Sequence, residues 1–169
     1  AVRAKEAFQD VVAAVRFIRE RRGVEKVNLL GWAQGTMLSC AFAAKYPGEA
    51  GRLALIAPLY LCDEPGAFSL FEDPRRPGEL NPKFFGGAWR WVTEKDQLHN
   101  WNRLIPKGQH GRWREARAVR AFWGEQLRHD PEGAKRRVPA VRVPNGLMAD
   151  HYERTRGVAF FEAGKVKSP

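Results

Sequence analysis

The feature that most limits how this chain can fold is a five-residue turn, Gly31-Trp32-Ala33-Gln34-Gly35, set between two apolar segments. Before the turn, Val27 to Leu30 form a short apolar run, which is typical of a strand buried on both faces of a parallel sheet. After the turn, residues 36–46 are rich in Ala, Leu, Met and Phe and end before Pro47, which predicts a helix. Two glycines this close together, between a strand and a helix, predict a sharp reversal of the chain.

The same alternation extends on both sides of the turn. Upstream, apolar residues recur at spacings of three and four from Ala4 to about Arg21, which predicts an amphipathic helix that Gly23 ends. Downstream, Arg52 to Ala57 form a second apolar strand, which Pro58 stops. Helix, strand, turn, helix and strand in this order predict an α/β fold with a parallel sheet and right-handed crossovers.

The middle of the chain has a different pattern, because proline and glycine recur in residues 59–110 too often for a regular sheet. Helices are predicted again at 94–105, with Thr93 as the N-cap, at 112–128 and at 147–156. Five of the six tryptophans lie in this region. Their rings either form the core of a small helical layer or line an apolar pocket.

Composition argues against several classes of protein. The net charge of +10 is divided into +4 for residues 1–58, +5 for 59–157 and +1 for 158–169, so it indicates a solvated surface rather than a nucleic-acid face. The absence of an apolar run near 18 residues and of a signal peptide predicts a cytoplasmic protein with no membrane partner. Cys40 and Cys62 have no metal-ligand spacing, so we expect two reduced thiols, no metal site and no cofactor.

The stretch from Asp10 to Pro58, with its GVEKVNLLGWAQG, YP and LALIAP segments, resembles the nucleophile-elbow region of the α/β-hydrolase superfamily. The resemblance implies a partial α/β-hydrolase fold: a core segment at 1–58, a mostly helical cap or lid at 59–157, and the run-in to a further core strand at 158–169. The resemblance also implies roles in the elbow: Ala33 occupies the position of the nucleophilic serine, and Gln34 provides an oxyanion N–H. The flanking positions are Gly31, Trp32 and Gly35, and a side chain at either glycine is expected to strike a neighbouring strand or helix.

The resemblance also implies an activity, the hydrolysis of an ester, amide or related carbonyl bond. With Ala33 the chain is expected to be inactive, because a methyl group cannot attack a carbonyl carbon. The alanine is either an engineered substitution or a natural loss, and both remain open. Neither Ser39 nor Cys40 is expected to replace the missing hydroxyl. The four histidines, which all fall in the cap, are not expected to act as the catalytic base: His99, His110, His129 and His151.

Three further expectations concern partners and alternatives. The substrate is expected to be a small molecule with an apolar or aromatic acyl part. The catalytic acid, the histidine and the remaining strands of the sheet are expected to come from outside these residues, possibly from another chain, so that the sequence is a fragment of a hydrolase. The alternative is a ligand-binding protein of the same fold without catalysis, and a nucleic-acid module rests on the charge alone.

Overall fold

The computed structural model describes residues 2–61, 72–103 and 105–167, so Cys62 lies outside the described residues. Contacts within the chain divide it into two compact units. Unit 1 contains the described residues up to Ala88 and from Asn145 onward, and unit 2 is Trp89–Pro144. Among the described helices, none has the length and apolar character that a bilayer crossing requires.

Unit 1 begins with the predicted alternation of helix and strand. Helix α1 is followed by strand β1, helix α2 and strand β2, and the two strands pair in parallel with Leu29 opposite Leu53 and Trp32 opposite Ile56. This arrangement confirms the α/β class and the parallel sheet. The bounds of the four elements are α1 Ala4–Arg22, β1 Val27–Trp32, α2 Gln34–Lys45 and β2 Ala50–Ile56.

The two helices cover one face of this sheet. Phe8 of α1 and Phe42 of α2 are buried in a single hydrophobic cluster, and Leu29 and Leu53 pack against it from the strands. Helix α1 ends as predicted at Gly23, whose φ of 62° lets its N–H bond to the carbonyl oxygens of the last turn. Burial of this apolar stripe, rather than helix propensity, therefore positions α1 and α2 on the sheet.

The opposite face of the sheet carries exposed apolar side chains. Leu30 is 70% exposed and Trp32 73%, and Ile56, which pairs with Trp32, is 52% exposed. Side chains alternate between the faces of a strand, so the described helices cover only the inward set. The expectation that β1 is buried on both faces is therefore wrong for the described part of the chain.

The remainder of unit 1 includes an antiparallel hairpin that the sequence pattern did not predict. Strands β3, Glu72–Asp73, and β4, Arg76–Leu80, are joined by a tight turn in which the carboxylate of Asp73 accepts the N–H of Arg75 at 2.9 Å. Proline and glycine are tolerated here because the strands are short and paired on one side only. The other elements of the unit are helix α3 at Pro82–Phe85, helix α8 at Gly146–Thr155 and a 3-10 turn at Ala163–Lys165.

The chain after α8 packs on the helices without forming a strand in its described residues. Phe160 meets Phe8 edge to face at 6.4 Å, and Phe161 lies 5.1 Å from Tyr60, measured between ring centroids. The apolar run at 158–162 therefore contributes to the hydrophobic cluster of unit 1. Its interpretation as the run-in to a further core strand stays a prediction.

Unit 2 combines helices with a second antiparallel pair of strands. Strand β5 pairs with β6 along its whole length, from Trp89 opposite Pro144 to Thr93 opposite Ala140. Thr93 caps the next helix as predicted, since its hydroxyl accepts the N–H of Asp96. The bounds are β5 Trp89–Thr93, α4 Glu94–Asn102, α5 His110–Trp113, α6 Ala116–Arg128, α7 Pro131–Ala134 and β6 Ala140–Pro144.

An ion pair fixes the packing of α7 on β6. Asp130 caps α7 by accepting the N–H of Gly133, and the same carboxylate binds the guanidinium of Arg142 at 2.9 Å. Hydrogen bonds from Arg142 hold the pKa of Asp130 below its ordinary value. The guanidinium of Arg136 lies over the ring of Trp91 at 4.3 Å, a cation–π contact in the same unit.

Candidate active site

The turn between β1 and α2 has a backbone that side-chain-bearing residues seldom adopt. Ala33 has φ 49° and ψ −115°, and it directly precedes the first residue of α2. Among the described non-glycine residues, the other positive φ is that of Ala57, which follows β2. Strained backbone of this kind persists only where the surroundings impose it, and it is concentrated at functional sites.

Four hydrogen bonds hold this geometry. The N–H of Ala33 donates to the carbonyl oxygen of Ile56 at 3.0 Å, and the N–H of Thr36 donates to the carbonyl oxygen of Ala33 at 3.0 Å. The hydroxyl of Thr36 donates to the same oxygen at 2.5 Å and accepts the N–H of Leu59 at 2.9 Å. Thr36 is 1% exposed, so its hydroxyl is a buried link between the turn at Ala33 and the turn at Ala57.

Sequence reasoning missed Thr36, which it treated only as the start of a helix. A threonine in the first turn of a helix has a hydroxyl that bonds readily to nearby backbone groups, and this was the available signal. The second partner, the N–H of Leu59, lies 23 residues away along the chain. That contact depends on the pairing of β1 with β2 and has no local signature.

The two glycines of the turn differ in what surrounds them. A Cβ at Gly31 would lie 2.7 Å from the carbonyl oxygen of Gly35 and 2.7 Å from the Cα of Thr36, both backbone atoms that cannot give way. A Cβ at Gly35 would meet nothing within 4 Å among the described residues. The expectation that a side chain at either glycine clashes therefore holds for Gly31 and is wrong for Gly35.

The other predicted residues of the turn lie on different surfaces. Gln34 is the half-buried first residue of α2, so its N–H has no acceptor within the helix and faces the turn. The indole of Trp32 lies on the exposed face of the sheet. Ala33 is half-buried. The strand, turn and helix thus place residue 33 directly before the first N–H of α2.

The nearby nucleophile candidates are buried inside α2. Ser39 and Cys40 are both almost wholly buried, and burial raises the pKa of the Cys40 thiol. A thiol held in its protonated form is a poor nucleophile. The described surroundings of both side chains therefore agree with a packing role.

Two of the described histidines take part in local side-chain contacts. His129 Nε2 lies 3.1 Å from a carboxylate oxygen of Glu125, and His151 Nδ1 accepts a hydrogen bond from Arg154 at 2.9 Å. Burial, and next the charge of Arg154, lower the pKa of His151. Asp150 accepts hydrogen bonds from Arg3. Among the described residues, no group of three His, Cys, Asp or Glu side chains is placed to hold a metal ion.

Comparison with known proteins gives one match. The model of a family described as having the alpha/beta hydrolase fold matches residues 3–133, which is well over half of the chain. No curated protein and no solved structure matches the chain. The matched segment includes the parallel strands, the strained turn at Ala33 and most of unit 2. The chain therefore belongs to the α/β-hydrolase fold family.

Proposed function

We propose that this chain carries the nucleophile elbow of a serine hydrolase that cleaves an ester, amide or related carbonyl bond. The observation that carries the proposal is the backbone of Ala33, whose φ of 49° occurs at a strand-to-helix turn. In the nucleophile elbow such a turn presents the hydroxyl of a serine above the sheet. With alanine at residue 33, the chain is inactive in this proposal.

The chemistry assigns a role to each atom of the turn. With serine at residue 33, its oxygen forms a bond to the substrate carbonyl carbon while a histidine takes its proton, and the tetrahedral oxyanion lies against the N–H of Gln34. Collapse of this intermediate expels the leaving group, which takes up the proton and leaves an acyl-enzyme that water hydrolyses. The histidine and its acid partner come from residues outside this chain.

The proposal extends to the substrate and to the rest of the sheet. We propose that the segment 59–157 is a cap and that the substrate is a small molecule with an apolar or aromatic acyl part. The exposed face at Leu30, Trp32 and Ile56 is apolar, and it is covered by the remaining layers of the hydrolase, on the same or another chain. A cytoplasmic location belongs to the same proposal, since Cys40 is a free thiol.

The test restores the hydroxyl in the full-length protein. Ala33→Ser is incubated with p-nitrophenyl butanoate, and p-nitrophenol release and the protein mass are followed. Ala57→Ser is the matched control, because Ala57 has nearly the same φ and receives the same hydroxyl. We expect a butanoyl adduct and turnover for Ala33→Ser alone.

The alternative is a ligand-binding protein of the same fold, which the methyl group at residue 33 favours because it leaves no nucleophile in the turn. If Ala33→Ser gives no adduct and no turnover, or if Ala57→Ser matches it, the hydrolase proposal fails. Saturable binding of an uncleaved ester by the native protein in that case supports the binding protein.

A further inference from the structure

A cavity of about 530 Å³ in unit 1 is lined by apolar residues, called here the apolar wall, and by charged residues, called the charged wall. It lies where the N-terminal end of α1, the first turns of α2, helix α8 and residues 158–160 meet. Met37, Val158 and Phe160 contribute to the apolar wall, and Arg154 of α8 contributes to the charged wall. A pocket lined by both charged and apolar residues favours a ligand that has a charged and an apolar part.

Arg154 is the feature that makes this cavity a candidate site. Its side chain is almost completely buried, with the residue 5% exposed. One guanidinium nitrogen of Arg154 donates a hydrogen bond to His151. The Nε–H has no acceptor among the described residues. In the described part of the chain, every other fully buried side-chain nitrogen or oxygen has a hydrogen-bond partner. Arg154 is in none of the ion pairs formed among the described residues, so no described carboxylate oxygen lies within 4.0 Å of its guanidinium.

Two arginines that are less deeply buried than Arg154 each pair with a carboxylate. Arg19 binds Glu49 at 2.6 Å, and Arg142 binds Asp130 at 2.9 Å. A buried guanidinium is costly unless an anion compensates it. Arg154 lacks an anion of this kind among the described residues, although it is more deeply buried than either.

The acidic residues beside Arg154 are engaged elsewhere. Asp150 accepts hydrogen bonds from the Nε of Arg3 at 2.8 Å and from the N–H of Ala4 at 2.7 Å. Glu153 binds the same guanidinium of Arg3 at 2.6 Å. Three basic and three acidic side chains line the cavity, so its formal charges cancel. Recognition of an anion must therefore come from direct contact with Arg154 rather than from a general field.

We propose that this cavity binds a small monocarboxylate, whose carboxylate pairs with Arg154 and whose compact apolar body rests against Met37, Val158 and Phe160. A carboxylate matches the planar donors of a guanidinium and supplies the missing counter-charge. A multiply charged anion such as phosphate fits less well, because Asp150 and Glu153 repel the extra charge and the apolar wall stays uncovered. The proposal does not involve residue 33, so it stands or falls independently of the hydrolase reaction.

The first experiment uses the complete chain and benzoate as the probe. Titration is followed by NMR through the Nε–H signal of Arg154, with benzamide as the neutral analogue and inorganic phosphate as the alternative anion. We expect benzoate to shift this signal and to bind about tenfold or more tightly than benzamide, since the charge-assisted hydrogen bonds are lost in the amide. Equal binding of benzamide, or tighter binding of phosphate, overturns the proposal.

Variants test whether Arg154 and the apolar wall act as stated. Arg154→Met is expected to weaken benzoate binding about tenfold or more, while Arg21→Gln, an exposed arginine of α1, leaves it unchanged. Because the loss of a buried arginine can also unfold the chain, Val158→Trp provides a second route: residue 158 is 53% exposed and lines the cavity, so a larger side chain there blocks the ligand. Native binding by a folded Arg154→Met, or by Val158→Trp, overturns the proposal.

Discussion

Replacement of Ala33 by glycine should stabilise this chain, although the same change in an ordinary helix destabilises it. A non-glycine residue in a sparsely populated backbone region costs about 1–3 kcal/mol, and Ala33 has φ 49° and ψ −115°. Glycine removes this strain but lowers stability by about 0.4–1 kcal/mol through the greater freedom of the unfolded chain. The difference leaves a gain of roughly 1 kcal/mol in the free energy of unfolding.

Urea denaturation followed by tryptophan fluorescence measures this gain. With a slope of about 2 kcal/mol per molar urea, the midpoint should rise by about 0.5 M. Ala14→Gly is the matched control, since Ala14 is exposed in the middle of α1, and its midpoint should fall by a similar amount. Ala57→Gly should resemble Ala33→Gly, because its φ is 50°.

One result of the same urea assay would refute the strain at residue 33. If Ala33→Gly lowers the midpoint as much as Ala14→Gly does, the backbone at residue 33 is not strained. The turn would then be an ordinary connection between β1 and α2, and the argument from geometry to an elbow would lose its basis.

Three further predictions test other contacts of the chain. Gly31→Ala should cost about 1–3 kcal/mol, because the new methyl group meets backbone atoms at 2.7 Å, whereas Gly35→Ala should be neutral or stabilising by up to about 1 kcal/mol in the same urea assay. Thr36→Val should cost about 1–3 kcal/mol, since it removes the buried hydroxyl that links the two turns, and Thr36→Ser should restore most of the stability. Arg142 lowers the pKa of Asp130 in the folded chain. The stabilisation from the ionised Asp130 carboxylate is therefore complete above pH 3.8, its ordinary pKa, and is lost as the pH falls through the lower pKa of the folded state. In Asp130→Asn, the acid unfolding of unit 2, monitored by fluorescence, should therefore lack the part of its pH dependence that comes from the Asp130–Arg142 pair. An unchanged pH profile would contradict a stabilising role for this pair.

The fold was predictable from the sequence where local periodicity determined it. The spacing of Phe8, Val11, Val12, Val15 and Ile18 predicted α1. Phe8, Val12 and Val15 are buried, whereas Ile18, near the end of the helix, is 41% exposed. Thr93 was predicted as an N-cap because its hydroxyl needs only an N–H three residues away. Such features depend on neighbours in sequence, and the structure confirms them.

The remaining features depend on residues that are distant along the chain. The pairing of Trp89 with Pro144 joins segments more than fifty residues apart, and the intervening pattern of glycine and proline gave no indication of it. The exposure of Leu30 illustrates the same limit, because the sequence shows that a strand is apolar but does not show what covers each of its faces. The hydroxyl bridge of Thr36 was missed because half of it comes from the loop after β2.

The backbone of residue 33 keeps its left-handed form with only a methyl group as its side chain. The turn therefore does not rely on a hydroxyl for its shape, and small side chains can be exchanged there without rebuilding the strand or the helix. Alanine codons and four of the serine codons differ in a single base. A lineage with this scaffold can consequently gain or lose a hydroxyl at residue 33 in one mutational step, while selection on the rest of the fold remains undisturbed.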